Sequence, residues 1–157
     1  MPSRSAGILA FRRNRGRIEV LLVHPGGPFW RNKDLGAWSI PKGKFSADEV
    51  AEGAARREFR EELGIELTVP LTSLGEVRQR GGKVVEAFAA DFDLDVRTIQ
   101  SNTFEIEWPP KSGSKQTFPE IDRAEWLDLT TARVKINEAQ SALLDRLESM
   151  CKDAAKD

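Results

Sequence analysis

The sequence predicts an α/β sandwich built as a single domain over residues 1–157. Three observations predict it. Branched, apolar segments of strand length recur between Gly, Pro and Asn turns. One acidic segment, Ser46 to Leu63, has the period of a helix, and a second amphipathic helix follows Asn137. At 157 residues the chain can bury a core large enough to hold these layers together.

Each element follows from local chemistry. Ser5 to Phe11 and Arg17 to His24 flank Asn14-Arg15-Gly16, which reads as a β-hairpin. Pro25-Gly26-Gly27-Pro28 breaks the chain into a loop running to about Gly36, and Ala37 to Ile40 reads as a short strand stopped by Pro41-Lys42-Gly43. Ser46, with Glu49 three residues on, has the capping-box pattern for the acidic helix, and Gly64 suits its C-terminal cap. Leu67 to Val77, broken by Pro70, reads as partly strand; Val84 to Phe92 is a buried strand after the Gly81-Gly82 turn. Asp93 to Pro119 reads as a long loop or partial strand, and Ile121 to Leu129 as the last strand, around Trp126. Thr131 to Ile136 is a short helix. Asn137, with Gln140, would cap the final helix, whose apolar stripe is Ala139, Leu143, Leu147 and Met150.

Composition narrows the function. The 24 basic and 25 acidic residues give a net charge of -1, so a broadly basic nucleic-acid or membrane binder is not expected, nor is a stable nucleic-acid partner. No apolar run has the length of a membrane span, no signal peptide is evident, and the single cysteine, Cys151, has no internal partner; a cytoplasmic protein is the expectation. The charges are nonetheless sorted. Met1 to Lys33 holds seven bases and one acid, Glu19, whereas Asp48 to Glu62 holds six acids and three bases.

At about 100° per residue, Glu58, Glu61 and Glu62 share one face of the predicted helix. Ala51, Ala54 and Ala55 lie on or near that face and would let a backbone or a ligand approach closely. Phe59 and Leu63 turn to a neighbouring face as core anchors. Clustered carboxylates repel unless a cation offsets them. Arg57 offsets part, and Mg²⁺, a hard cation that shares carboxylates with substrate phosphates, would offset more. On spacing alone, a solvated charged helix accounts for the same residues.

The longer pattern decides between the two. Gly43, five residues, Glu49, seven residues and then Arg57-Glu58-Phe59-Arg60-Glu61-Glu62-Leu63-Gly64-Ile65 match every fixed position of the Nudix box. The chain resembles the Nudix hydrolases over roughly residues 5 to 150, and Ala37 to Gly43 is similar to that family's approach strand. Ser46 and Asp48 depart from residues common in the family, and the first departure removes an optional metal contact. The resemblance implies an α/β/α sandwich with a mixed sheet and a loop-helix-loop box. It implies hydrolysis of a nucleoside diphosphate linked to another group. It makes Glu58, Glu61 and Glu62 ligands of Mg²⁺ or Mn²⁺, with the Gly43 carbonyl as a further ligand. It gives Arg57 the task of holding the glutamates, and Glu49 and Gly64 structural ones. The general base is Glu58 or, outside the box, Glu120, six residues before Trp126.

Lys42 and Trp30 are the expected substrate contacts, one with phosphate and one by stacking on a base. Arg12, Arg31, Lys33 and Lys83 are further phosphate candidates for which a solvated surface is the better reading. His24 reads as a satisfied strand-end histidine. Scattered positions from Ser5-Ala6-Gly7-Ile8 to Trp126-Leu127 are similar to the asymmetric diadenosine tetraphosphate hydrolases, which yield ATP and AMP. The substrate is thus a nucleotide or dinucleotide. An RNA 5′ or nucleoside triphosphate pyrophosphohydrolase and a non-catalytic nucleotide sensor are the alternatives.

Overall fold

Strand β1 (Arg4–Asn14) turns at Arg15 and Gly16 into β2 (Arg17–Pro25). Both turn residues are left-handed, at φ 55° and 79°, the geometry that matches the twist of paired strands. The structure, a computed structural model, describes residues 3–156. Beyond the hairpin, β1 organises a six-stranded mixed sheet. One edge of β1 is shared: its end, Phe11 to Asn14, pairs with β2, while its start, Ser5 to Gly7, pairs with β3 (Lys42–Lys44). Its other edge runs parallel to β5 (Val84–Asp91), which carries β4 (Thr72–Arg78). The far edge of β2 carries β8 (Ile121–Asp128).

Alternation along β1 fills both faces. Ala6, Ile8 and Ala10 pack with Ala54, Ala55, Phe59 and Leu63 of α1 (Ala51–Leu63). Leu9 and Phe11 pack on the opposite side with Ala132 of α2 (Leu129–Lys135) and Leu143, Leu144 and Leu147 of α3 (Ser141–Lys156). The result is the expected α/β/α sandwich. Burying each large side chain contributes roughly 1.5–3 kcal/mol. The small residues on the acidic face of α1 serve the sheet: Ala54 and Ala55 are core residues against β1.

Several expected boundaries move. The acidic helix begins at Ala51, not Ser46, and Val50 at its N-cap position makes no side-chain capping bond. The Ser46–Glu49 stretch is a turn closed by Glu49 N–H to Ser46 O at 3.1 Å, and the Glu49 carboxylate is shared between the Ser46 backbone and Arg57. Ala37 to Ile40 is not a strand: only isolated bridges, Val23 with Ser39 and Trp38 with Ile136, tie it down, and the strand forms at Lys42–Lys44 instead. Asn137 does not cap α3. Its side chain accepts from Ala139 N–H at the head of a 3₁₀ turn, Glu138–Gln140, that precedes the helix. The segment expected as a long loop or partial strand holds a separate hairpin, β6 (Thr103–Glu107) and β7 (Lys115–Pro119), clasped by Phe104 against Phe118. Among the described residues no helix is long and apolar enough to cross a membrane.

Candidate active site

Helix α1 presents its acids to β3 because the alanines beneath them let the helix sit close to the sheet. Gly43 completes the fit: a Cβ at that position would overlap the Glu58 carboxylate. Arg57 ties the helix to the loop before it. Its Nε and Nη2 each donate to Glu49 at 3.0 Å, while Nη1 donates to Glu58 at 2.9 Å and to Glu61 at 3.3 Å. One guanidinium thus spans three carboxylates, as a planar multi-donor group can. These partners outweigh its desolvation and raise its affinity for a proton.

Glu62 lies on the other side of Glu58, away from Arg57. It accepts Lys42 N–H at 3.1 Å, and burial, reinforced by the Glu58 charge, pushes its pKa up to about 8. Burial also raises Glu58, against the opposing pull of Arg57. Lys42 is lowered by its own burial, although the charge on Glu62 favours its ammonium form. Glu120, between β7 and β8, adds negative potential at both Glu58 and Glu62. The fold therefore gathers Lys42, Gly43, Glu58, Glu62 and Glu120, which are far apart in sequence. Glu61 sits outside this group, turned to Arg57 with a side chain 41% exposed.

Among the described residues, no three acidic, histidine or cysteine side chains converge into a ready metal cage. The donors nevertheless fit a divalent cation. They are hard oxygens whose mutual repulsion is only partly offset, beside a glycine whose missing Cβ leaves room for the Glu58 carboxylate. Mg²⁺ takes one or two protein carboxylates and completes its shell with water and substrate phosphate.

A cavity of about 260 Å³ opens beside these acids, lined by Trp30, Lys42, Glu62, Gln79, Glu120 and Asn137 among others. A second, of about 580 Å³, adjoins it, with Trp30, Gln79 and Asn137 lining both and Arg80 farther out. Trp30 is 39% exposed, with the Lys33 ammonium 4.9 Å from its ring centroid. His24 is fully buried and holds the loop that carries Trp30: Nδ1 lies 2.7 Å from Asp122, and Nε2 lies 2.6 Å from the Lys33 carbonyl.

Other predicted contacts fall elsewhere. Arg12 pairs with Glu19 and Asp93 and covers Trp126, and Arg4 pairs with Glu76 and Glu86, so these N-terminal bases do not form a rim for phosphate. The sequence reasoning missed Gln79, Asn137 and Gln140 as part of the cleft. Gln140 carried a readable signal, a polar residue three and four positions before Leu143 and Leu144 on an apolar stripe.

Residues 1–147 match the NUDIX domain, and the chain belongs to that family. Among curated relatives, it is 31% identical over 131 residues to an octanoyltransferase of Myxococcus xanthus; the match takes in 83% of this chain but 32% of that protein, so the chain spans about a third of that relative's length. It is 28% identical over 147 residues to an RNA pyrophosphohydrolase of Bartonella henselae, covering 82% of this chain and 77% of that one. Among solved structures, a C. elegans Ap4A hydrolase binary complex superposes with a TM-score of 0.64 at 22% identity, covering 96% of this chain and 98% of the other.

Proposed function

We propose that the protein hydrolyses, with Mg²⁺ or Mn²⁺, a pyrophosphate bond in a nucleoside polyphosphate that carries a second group, with diadenosine tetraphosphate cleaved to ATP and AMP as the reference substrate. The observation that carries this reading is the juxtaposition of the acidic wall, Glu58, Glu62 and Glu120, with a cleft of two compartments. A single nucleotide leaves one compartment unused; a dinucleotide places one base in each.

Glu58, Glu61 and Glu62, with the Gly43 carbonyl, would hold the ion. The ion supplies charge neutralisation of the phosphates and acidification of water when bound. Arg57 holds Glu58 and Glu61 in place through its bonds. Lys42 contributes a partly desolvated ammonium beside the phosphate path. Glu120, exposed at the mouth and free of ion pairs among the described residues, takes the proton from the attacking water. Trp30 stacks on a base.

A second reading, removal of pyrophosphate from an RNA 5′ end, is favoured by the similarity to the RNA pyrophosphohydrolase over 82% of this chain. A binding sensor is disfavoured because every acid of the box and Arg57 are present. Product analysis over dinucleoside polyphosphates, nucleoside triphosphates, nucleotide sugars and 5′-triphosphorylated RNA separates the readings. ATP plus AMP from diadenosine tetraphosphate is the expected result. Turnover of the RNA alone would replace the first reading by the second, and binding without turnover of any of them would leave a sensor.

A further inference from the structure

We propose that His24 is a positioning residue for Glu120: by holding Asp122, it locks a bulge in β8 that turns Glu120 into the cleft. The proposal rests on the reading of Glu120 as the group that takes the proton from water, and it names what aims that group.

The pairing of β2 with β8 contains one residue too many. Val23 faces Ala124, His24 faces Arg123, and Pro25 faces Ile121. One step along β2 thus meets two along β8, and Asp122 is left over. Side chains alternate along a regular strand, so an extra residue reverses every side chain beyond it. Ala124 and Trp126 pack on the α1 side of the sheet, and so does Ile121, three positions before Ala124. Regular alternation would put Ile121 on the opposite side and Glu120 on the α1 side. The bulge exchanges them. Ile121 enters the core, and Glu120 lines the cleft with Lys42 and Glu62.

The bulged residue lies outside the ladder and is held by a side chain instead. His24 is fully buried, and its Nδ1 lies 2.7 Å from the Asp122 carboxylate. Nε2 of the same ring lies 2.6 Å from the Lys33 carbonyl, and Trp38 packs edge-on against the ring at 5.2 Å. A polar ring enclosed this way is costly unless both nitrogens are partnered, so His24 and Asp122 hold each other in place. Beyond the bulge, the backbone of Glu120 is tied on both sides. Its N–H donates to the Asn102 carbonyl at 2.8 Å, and its own carbonyl accepts the Gly26 N–H at 2.9 Å. Gly26 permits this approach because a Cβ there would overlap the Pro119 carbonyl. One imidazole therefore fixes the start of β8 beside Glu120 and the loop that carries Trp30.

The Asp122 side chain is 33% exposed, so it can be changed without opening the core. Turnover is measured with Mg²⁺ on diadenosine tetraphosphate, or on whichever substrate of the panel gives product. Asp122→Ala should lower kcat about tenfold, the scale of a catalytic group moved out of place, with KM within about twofold of wild type. Asp122→Asn should restore kcat, because an amide offers both an oxygen and an N–H at the reach of the carboxylate. Arg123→Ala removes the cation 4.0 Å from Asp122 and should leave kcat unaltered. In a Glu120→Gln background, Asp122→Ala should lower kcat no further. Hydrogen exchange gives a readout without turnover. The Gly26 amide should exchange about tenfold faster in Asp122→Ala than in the wild type, both in chelator. If Asp122→Ala fails to fold, as a thermal melt would show, Asp122→Ser takes its place, since its side chain falls short of His24. With Glu120→Gln slow, four results overturn the proposal: wild-type kcat in Asp122→Ala, a loss confined to KM, no rescue by Asp122→Asn, or a full further loss in the double variant. Wild-type turnover in Glu120→Gln would instead remove Glu120 as the base. Exchange at Gly26 then decides alone: faster exchange keeps His24 and Asp122 as the lock on residue 120, and unchanged exchange overturns it.

Discussion

The two walls of the cleft solve opposite problems. On the acidic wall, Glu58, Glu62 and Glu120 crowd together with incomplete compensation, and burial holds the pKa of Glu62 at about 8. On the amide wall, Gln140 accepts the Ile40 N–H and donates to Ser39 and Gln79, and Gln140 is buried at 0% exposure without charge. A wall with unbalanced charge responds to pH and to cations; a wall with paired hydrogen bonds responds to neither and contributes to stability.

The largest effect should come from the acidic wall. Glu62→Gln keeps the acceptor for Lys42 N–H but removes a ligand charge. Turnover with Mg²⁺ should fall about a thousandfold, or about 4 kcal/mol of transition-state stabilisation, with an unchanged circular dichroism spectrum. Retention of near wild-type turnover would break the assignment of this wall to metal.

The same residue sets the pH response of the metal-free protein. Its folded pKa is raised, so the neutral form is favoured by folding. The contribution is fully present below the ordinary carboxylate range and is lost as pH rises through about 8. Thermal melts in chelator should show stability declining between about pH 5 and pH 9, by at most about 4 kcal/mol from this group. Glu62→Gln should flatten that slope, and added Mg²⁺ should reverse it by taking the proton's place. A slope identical in both proteins would show that the wall is not under charge stress.

On the amide wall, Gln140→Leu leaves the Ile40 N–H and the Gln79 oxygen without their partner. The expected cost is about 1–3 kcal/mol, measured by urea unfolding. Its stability loss should be independent of pH from 5 to 9, in contrast to the behaviour of Glu62.

The contrast also explains what the sequence revealed. The acidic wall comes mostly from one helix, where a spacing of three and four residues is visible in the chain, and its Gly43-to-Ile65 pattern is contiguous. The sandwich was legible for the same reason: each strand and helix carries its own periodicity. The amide wall joins Ser39, Gln79, Asn137 and Gln140, which meet only because β4 ends beside the turn before α3. No local pattern marks such a meeting. The local Ser46–Glu49 bond forms as the capping pattern suggests, but it closes a turn ahead of the helix, which starts at Ala51. The β6–β7 hairpin was obscured by alternating polar residues over a small apolar clasp of Phe104 and Phe118.

The smallest expected effect separates the cleft's charges from the rest. Arg4 pairs with Glu76 and Glu86 across the edge of the sheet, but its side chain is 42% exposed, and water screens the pair. Arg4→Ala should change stability by less than about 1 kcal/mol, with turnover unaltered. Arg57→Ala removes a guanidinium of the same chemistry whose partners include Glu58, only 13% exposed at its side chain. It should loosen Glu49, Glu58 and Glu61 at once and lower turnover far more than the Arg4 variant does. If the two arginine variants behaved alike, the enclosed position of the acidic wall would carry no energetic weight. The sorting of charge along the chain would then describe composition alone. A clear separation between them places the functional electrostatics in the desolvated few charges, not in the sum that gives a net charge of -1.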